Sequence, residues 1–382
     1  MGKVNLIATA AFGLEAVVAR ELKALGLNDL TVENGRIAFT ADCSAIARCN
    51  LWLRSADRVQ LVMGEFTATS FDQLFEETKA LPWEQWIGRD GNFPVVGKSI
   101  KSQLYSVPDC QAIVKKAIVE RLKQKYGLEW FPETGARYTV QVALLKDRAT
   151  LTIDASGEGL HKRGYRQQAG TAPLRETLAA ALVQLSYWQP SRLLLDPMCG
   201  SGTIAIEAAL IGDNIAPGLT RRFVSEDWPA LDRKLWSDAR SEASAAIRDE
   251  PLEIHGSDAD GSMTAIARKN ADNAGVGEKI HFQRRGLSQV SSSRKYGVLI
   301  TNPPYGQRME DSEGDVFPQL ARLFTSLDTW SFYVLTDDSQ AEKALGRRAD
   351  RRRKLYNGRI LCHYYQFAGP RPPSNKKGPE GR

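Results

Sequence analysis

The sequence predicts an α/β protein, with a C-terminal doubly wound sheet preceded by two smaller α/β units. Three observations predict it. Ser191-Arg192-Leu193-Leu194-Leu195-Asp196 is a short apolar strand, Pro197-Met198-Cys199-Gly200-Ser201-Gly202-Thr203 a tight glycine-rich loop, and residues 204–211 a helix. Strand, glycine loop and helix in that order open the nucleotide-binding half of such sheets. From there, strand and helix patterns alternate to Thr336 and close in a hairpin, which is the signature of a mostly parallel sheet. Residues 1–66, finally, read β-α-β-β-α-β.

The first strand spans 4–10. A helix over 13–25 follows, with Leu14, Val17, Val18, Leu22 and Leu25 on one face and Gly26 at its end. Strands at 31–33 and 36–39 flank Asn34-Gly35, a hairpin signal. A helix at 42–53 and a strand at 58–66 complete a ferredoxin-like order. The next domain, 67–156, carries a helix at 70–80, a strand at 93–99, a long helix at 109–126, and strands 137–145 and 148–154 joined at Lys146-Asp147. Residues 157–190 connect, and 171–187 within them read as an amphipathic helix. In the C-terminal domain, 191–368, an insertion at 213–250 holds Trp228 and Trp236, residues suited to covering a helix pair. The second strand of that domain ends at Asp258. A helix at 263–274, strands at 279–283 and 296–301, a helix at 316–327 and a strand at 332–336 follow. Residues 346–354 form an Arg-rich turn, and 354–356 pairs with 359–367 across Asn357-Gly358. The Pro-, Lys- and Gly-rich segment 369–382 is expected to be disordered.

Chemistry concentrates at two motifs. Strand 296–301 runs into Asn302-Pro303-Pro304-Tyr305. Two prolines cannot continue strand pairing, so the chain turns out at the edge where open α/β sheets bind ligands. Asn302 offers a side-chain carbonyl, Pro303 a main-chain carbonyl and Tyr305 an aromatic face. Two acceptors beside a stacking surface suit a flat group with an exocyclic amine, and a nucleobase is the obvious one. A plain turn is the alternative. The glycine loop also fits a dinucleotide fingerprint, Gly200-x-Gly202-x-x-Ala205. That fingerprint expects an acid about 20 residues on, where this chain has Arg221-Arg222-Phe223. Asp196, placed before the glycines, repels a pyrophosphate and suits an ammonium. S-adenosylmethionine has an ammonium and no phosphate, so it is preferred to NAD.

These motifs carry a resemblance. Asp196-Pro197-Met198-Cys199-Gly200-Ser201-Gly202-Thr203-Ile204, then Gly256-Ser257-Asp258-Ala259-Asp260, then Thr301-Asn302-Pro303-Pro304-Tyr305-Gly306-Gln307-Arg308, resemble the THUMP-domain class I methyltransferases, a Rossmann-like seven-stranded fold. Among these the chain is most similar to the bacterial 23S rRNA guanine-N2 methyltransferases, often labelled N6-adenine-specific DNA methylases. The resemblance spans nearly the whole chain, including His161-Lys162-Arg163-Gly164-Tyr165-Arg166 and Lys98-Ser99-Ile100-Lys101-Ser102-Gln103-Leu104. It implies a ferredoxin-like subdomain at 1–66, a THUMP RNA-binding domain at 67–156, a cofactor-proximal helix in 157–190 and a methyltransferase domain at 191–368. It implies Asn302, Pro303, Pro304 and Tyr305 as the catalytic motif. It carries Asp196, Pro197, Cys199, Gly200, Ser201, Gly202 and Thr203 to the methionine end of the cofactor and Asp258 to its ribose. Asp260 either joins them or caps the next helix. One departure stands after the third strand of this sheet. The family usually has an acid there for the adenine, whereas this chain reads Gln283-Arg284-Arg285-Gly286-Leu287-Ser288, leaving a main-chain carbonyl or Ser288 for that task. Lys98, Lys101, Lys115, Lys116, Arg121, Lys123 and Lys125 would serve RNA, as would Arg48 and Arg54, or else form solvated faces.

Composition sets the remaining bounds. The 382 residues exceed one ordinary domain. No run approaches the ~18 apolar residues of a membrane span, and the N-terminus reads as a strand, not a signal peptide. Five cysteines at 43, 49, 110, 199 and 362 lack any Cys-x-x-Cys spacing, and the four histidines are scattered. Zinc and a disulfide framework are therefore not expected, and a reducing cytoplasm fits. A net charge of +6 is compatible with RNA. Adenine-N6 methylation of DNA or RNA, a tRNA target, and a non-catalytic RNA-binding protein with a vestigial fold are the competing readings.

Overall fold

The computed structural model describes residues 2–166, 174–304 and 316–373. The chain divides into two compact units, Met1–Arg163 with Ala216–Ile247, and Gly164–Ile215 with Arg248–Arg382.

The first unit runs β1 (Val4–Ala10), α1 (Glu15–Ala24), β2 (Leu30–Glu33), β3 (Arg36–Ala41), α2 (Ser44–Trp52), β4 (Ala56–Thr67), α3 (Phe71–Ala80), β5 (Val95–Ile100), α4 (Val107–Tyr126), β6 (Val140–Leu145) and β7 (Arg148–Asp154). Its turns follow their sequences. Gly35 takes φ +76° at the β2–β3 hairpin, and the Glu15 carboxylate accepts the N–H groups of Gly13 and Gly35 at 2.8 and 2.9 Å. Ser70 caps α3 by accepting the Gln73 N–H at 3.2 Å. The strands form a single sheet ordered β2-β3-β1-β4-β7-β6-β5. The twelve-residue β4 makes this possible, pairing with β1 near its start and with β7 along Gln60–Thr67. The two α/β patterns read separately from sequence thus share one hydrogen-bonded sheet.

After α5 (Glu176–Gln184), β8 (Leu194–Asp196) and α6 (Thr203–Gly212), the insertion returns to the first unit and forms α7 (Arg233–Ala245). Trp228 stacks on Tyr138 with centroids 5.2 Å apart, meets Trp86 edge-on at 6.0 Å and donates its indole N–H to the Arg137 carbonyl at 3.0 Å. Trp236 stacks on Phe223 at 5.3 Å. Gly218 lies so close to α2 that a Cβ there would meet the Asn50 carbonyl oxygen at 2.7 Å. The expected aromatic cover is present, but it completes the first unit's core and not that of the methyltransferase sheet.

The second unit continues with β9 (Ile254–Asp258), α8 (Gly261–Asn273), β10 (Ile280–Arg284), β11 (Val298–Thr301), α9 (Val316–Ser326), β12 (Ser331–Thr336), α10 (Ala341–Ala344), β13 (Arg351–Asn357) and β14 (Ile360–Phe367). Its sheet is ordered β10-β9-β8-β11-β12-β14-β13, parallel through β12 and antiparallel at β14 and β13. The Arg-rich segment expected as a turn enters β13 at Arg351, pairing with Gln366. Gly369, at the head of the expected disordered tail, donates its N–H to Ser331 Oγ at 3.1 Å. The tail from 374 onward lies outside the described residues.

Several cations expected to serve RNA have partners within the first unit. Arg121 forms a bidentate pair with Glu84 at 2.9 and 2.7 Å, Lys123 reaches Glu129 at 3.1 Å, and Lys115 bonds Glu133. Arg48 pairs with Glu242 of α7 at 3.4 Å, and Arg54 is buried. These acids lie outside the two helices, from Glu129, six residues past Lys123, to Glu242 in the insertion, which is why a charge count along the helix overstated its free charge.

Candidate active site

Parallel pairing brings the ends of β8, β9 and β11 to one edge of the second sheet, with Asp196 beside Gly256. The Asp196 side chain is fully buried there. Its Oδ1 accepts the Thr301 hydroxyl at 3.0 Å and the Met198 N–H at 3.3 Å. Burial pushes this carboxyl up to about 7 despite both hydrogen bonds, and the nearby Asp258 charge adds to the rise. Asp258 accepts the Gly200 N–H on Oδ2 at 2.9 Å and the Asp260 N–H on Oδ1 at 3.0 Å. Its pKa is also raised, by burial first. Carboxylate oxygens hold two lone pairs each, so both acids retain acceptor capacity after these bonds.

The glycines of the loop have different tasks. Gly202, at φ +82°, leaves no room for a side chain: a Cβ would meet the Phe282 ring at 2.9 Å and Ala267 at 3.0 Å. Gly200, at φ +50°, faces open space, with Met263 the nearest atom at 3.9 Å. The first glycine leaves the floor of the loop clear, and the second lets α6 pack on the sheet. Pro197 is buried where the chain leaves β8. Cys199 donates its N–H to the Ser257 carbonyl at 2.9 Å, and burial pushes its thiol well above the ordinary range, so it acts as packing. The Ser201 carbonyl accepts Asn270 Nδ2 at 3.1 Å, and the Ser201 hydroxyl lies 3.4 Å from that of Thr203. Thr203 Oγ1 in turn accepts Arg166 Nη2 at 2.7 Å. Asp260 caps α8 by accepting the Ser262 N–H at 2.8 Å, and the Ser262 hydroxyl first, then this N–H, hold its pKa below the usual carboxylate value.

Asn302 follows β11 and is half-buried; Pro303 is buried and Pro304 half-buried. Tyr305 lies outside the described residues. Ser288 is exposed in a short 3-10 turn, Leu287–Gln289.

Three residues that the sequence reading passed over support this edge. Thr301 ties Asp196 to the Asn302 motif across 105 residues of sequence. Arg166 joins Thr203 to the Leu174 carbonyl at 2.8 Å and pairs with Glu176 at 3.4 Å. Asn270, buried on α8, fixes the loop through the Ser201 carbonyl. Only Arg166 had a signal, in its basic and aromatic surroundings; Thr301 and Asn270 gain meaning from tertiary contacts alone. Among the described residues no group of three or more His, Cys, Asp or Glu could hold a metal ion, and no helix is long and apolar enough to cross a membrane.

Comparison with known proteins gives this geometry its context. Residues 163–366 match the family model described as RMKL-like, methyltransferase domain. Residues 5–60 match the RlmL ferredoxin-like domain and 68–154 the THUMP domain. The chain is 51% identical over 382 residues to YpsC of Bacillus subtilis (strain 168), provisionally named an RNA methyltransferase, covering 99% of both chains. A predicted N6-adenine-specific DNA methylase from Listeria monocytogenes str. 4b F2365 is 52% identical, with 97% of each chain covered and a TM-score of 0.93. SMU.472, a provisionally assigned methyltransferase solved in complex with SAH, is 44% identical, with 98% of this chain and 100% of that one covered and a TM-score of 0.91. With a ferredoxin-like module, a THUMP domain and an RMKL-like catalytic domain in succession, and with half its residues shared with YpsC along the full length, the chain belongs to the THUMP-containing family of RNA methyltransferases.

Proposed function

We propose that this enzyme uses S-adenosylmethionine to methylate an exocyclic base amine in RNA, and that the amine is N2 of a guanine in 23S rRNA. The observation that carries the reading is the Thr301–Asp196 hydrogen bond. It couples the acid that suits an ammonium to the strand end that presents two amine acceptors. The protein's own groups fit the cofactor. Asp196 is a buried carboxylate with spare acceptor capacity, Gly200 leaves open space, and Asp258 can accept ribose hydroxyls. The N-terminus of α6, with its unpaired N–H groups, suits the carboxylate of an amino-acid head. When bound, the cofactor supplies a methyl group on an electrophilic sulfonium.

The chain's part is to prepare the nucleophile. The lone pair of an exocyclic amine is conjugated into its ring. The Asn302 side-chain carbonyl and the Pro303 carbonyl accept its two N–H bonds and turn the lone pair outward. Positioning of this kind supplies several kcal/mol, and the two carbonyl dipoles stabilise positive charge as it develops on the N–H groups. Tyr305 supplies the stacking face. In this scheme 1–66 and 67–156 deliver the RNA, 157–190 connects, 191–368 performs the chemistry, and the location is cytoplasmic. The test is nucleoside mass spectrometry of rRNA and tRNA from a deletion strain. One N2-methylguanosine should vanish from 23S rRNA and return with the wild-type gene. Loss of N6-methyladenosine instead, or of a tRNA nucleoside, would replace the substrate; no loss at all would end the proposal.

A pH dependence follows from Asp196. In the ligand-free protein its carboxyl titrates near 7. Below that value it holds a proton, which must leave before an ammonium can dock. Affinity should therefore rise about tenfold per unit from pH 5.5 towards 7 and then level off. Stability of the ligand-free protein runs the other way: the folded pKa is raised above the ordinary 3.8, so the favourable term is complete below 3.8 and lost as pH rises through about 7. Calorimetry with S-adenosylhomocysteine across this range checks the binding arm. Asp196→Asn should bind weakly with a flat profile; a wild-type profile in that variant would remove Asp196 from the site.

A further inference from the structure

A parallel crossover usually carries a helix that covers the sheet face it passes. Between β10 and β11 the chain has only the 3-10 turn Leu287–Gln289. Helix α9 covers part of that face, where Phe317, Leu320 and Phe324 pack on Leu193, Leu195, Leu299 and Phe332. Beyond it, among the described residues, no helix lies over this face of β8, β9 and β10; α6 and α8 pack on the other face. A cavity of about 690 Å³ opens there, walled on the outside by residues 290–294.

Register decides what faces it. In the β9–β10 pair, His255 stands beside His281 and Ser257 beside Gln283. Gly256 and Phe282 point to the opposite face, where Phe282 touches the glycine loop. None of Asp196, Gly200, Gly202, Asp258 or Asn302 lines the cavity. The site is therefore distinct from the residues proposed for the methionine and ribose ends of the cofactor and for the amine, and meets the stretch 283–288 only at Gln283 and Arg285.

Its chemistry is that of hydrogen-bond donors. The Ser257 side chain is 1% exposed, and its hydroxyl has no partner among the described residues. The His255 and His281 rings lie 5.5 Å apart. Burial, then His281, Arg285 and Arg294, depress the His255 pKa, so near neutral pH its ring is an uncharged donor and acceptor. Arg294 is paired with Glu253, the one carboxylate of the cavity. The Arg285 guanidinium makes no hydrogen bond or ion pair among the described residues, which leaves one positive charge uncompensated. Ser291, Ser292 and Ser293 add hydroxyls along the rim.

We propose that this cavity binds the phosphate-bearing part of a nucleotide. An anion with several acceptor oxygens offers acceptors to both the buried Ser257 hydroxyl and the unpaired Arg285, and its charge meets that of the guanidinium. The volume lies in the range of small-molecule sites. The phosphate belongs either to a free nucleotide or to a strand of the RNA substrate, and the probes separate the two.

The test uses the full chain with S-adenosylhomocysteine present, so that the cofactor site is saturated. Equilibrium dialysis would be run with radiolabelled guanosine 5′-monophosphate and with a radiolabelled hexaribonucleotide. Wild-type protein should bind at least one probe. Arg285→Gln should raise its Kd by about tenfold, as loss of one charge-assisted contact does, and Ser257→Val, which removes the buried hydroxyl, by about as much. His281→Ala, an exposed change that leaves the fold intact, should weaken it about threefold. Monophosphate binding assigns a free nucleotide, and hexamer binding alone assigns the RNA backbone. Absence of binding by both probes, or equal affinity in wild type, Arg285→Gln and His281→Ala, overturns the site. The S-adenosylhomocysteine affinity of His281→Ala, expected to be unchanged, keeps this result independent of the methyltransferase reading.

Discussion

Asn302→Ala is expected to lower methyl transfer by about 10²–10³ while leaving S-adenosylhomocysteine affinity within about twofold of wild type. The split follows from where the side chain stands. Asn302 lies one residue past Thr301, whose hydroxyl is given to Asp196. The proposed cofactor contacts are made by Asp196, the glycine loop and Asp258, none of which requires the Asn302 amide. One aligned acceptor matters at the transition state because positive charge grows on the N–H groups it receives. The measurement is tritiated methyl transfer to rRNA from a deletion strain, beside calorimetry on the same preparation. Near-normal turnover would reduce Asn302-Pro303-Pro304-Tyr305 to a structural turn. Tyr305→Phe should be nearly silent and Tyr305→Ala milder than Asn302→Ala, because stacking is worth about 1–3 kcal/mol per base.

The second large effect separates two glycines two residues apart. Gly202→Val should destabilise the protein by about 2–5 kcal/mol, combining overpacking with left-handed backbone strain. Its Cβ alone would meet Phe282 at 2.9 Å and Ala267 at 3.0 Å, at φ +82°. Gly200→Val also carries backbone strain, at φ +50°, but its Cβ meets nothing nearer than 3.9 Å. It should fold with a smaller loss, about 1–2 kcal/mol, and lose S-adenosylhomocysteine binding at least tenfold because the new side chain occupies the open floor. Urea denaturation and calorimetry read the two effects separately. A Gly200→Val protein that binds S-adenosylhomocysteine normally would show that the space above this glycine holds something else.

The regular elements were legible because their signals are local. Apolar spacing places α1, the strand–glycine loop order places α6, Asn34-Gly35 marks the first hairpin, and Asp196, Gly200, Gly202 and Asp258 stand on the loop and strand end that their order suggests. What escaped depends on residues distant in sequence. The basic look of α4 is reduced once Glu84 and Glu133, 37 and 18 residues away, are set against Arg121 and Lys115. The insertion reads as part of the domain in which it is encoded, since nothing near Trp228 announces that Tyr138 is its stacking partner. Thr301 is an ordinary strand residue until the sheet sets it beside Asp196. The missing crossover helix was hidden too, because a short apolar-poor stretch between two strands signals only a loop.

The insertion also orders events during synthesis. Residues 1–163 leave the ribosome without Phe223, Trp228, Leu231 and Trp236, all of which belong to the same apolar cluster as Leu6, Trp83 and Tyr138. Until residue 247 has emerged, the nascent first unit presents the faces of Tyr138 and Trp86 to water. At ordinary elongation rates that interval lasts on the order of ten seconds. Throughout it, the chain has an apolar surface fitted to its own later segment and open to any holdase that arrives first.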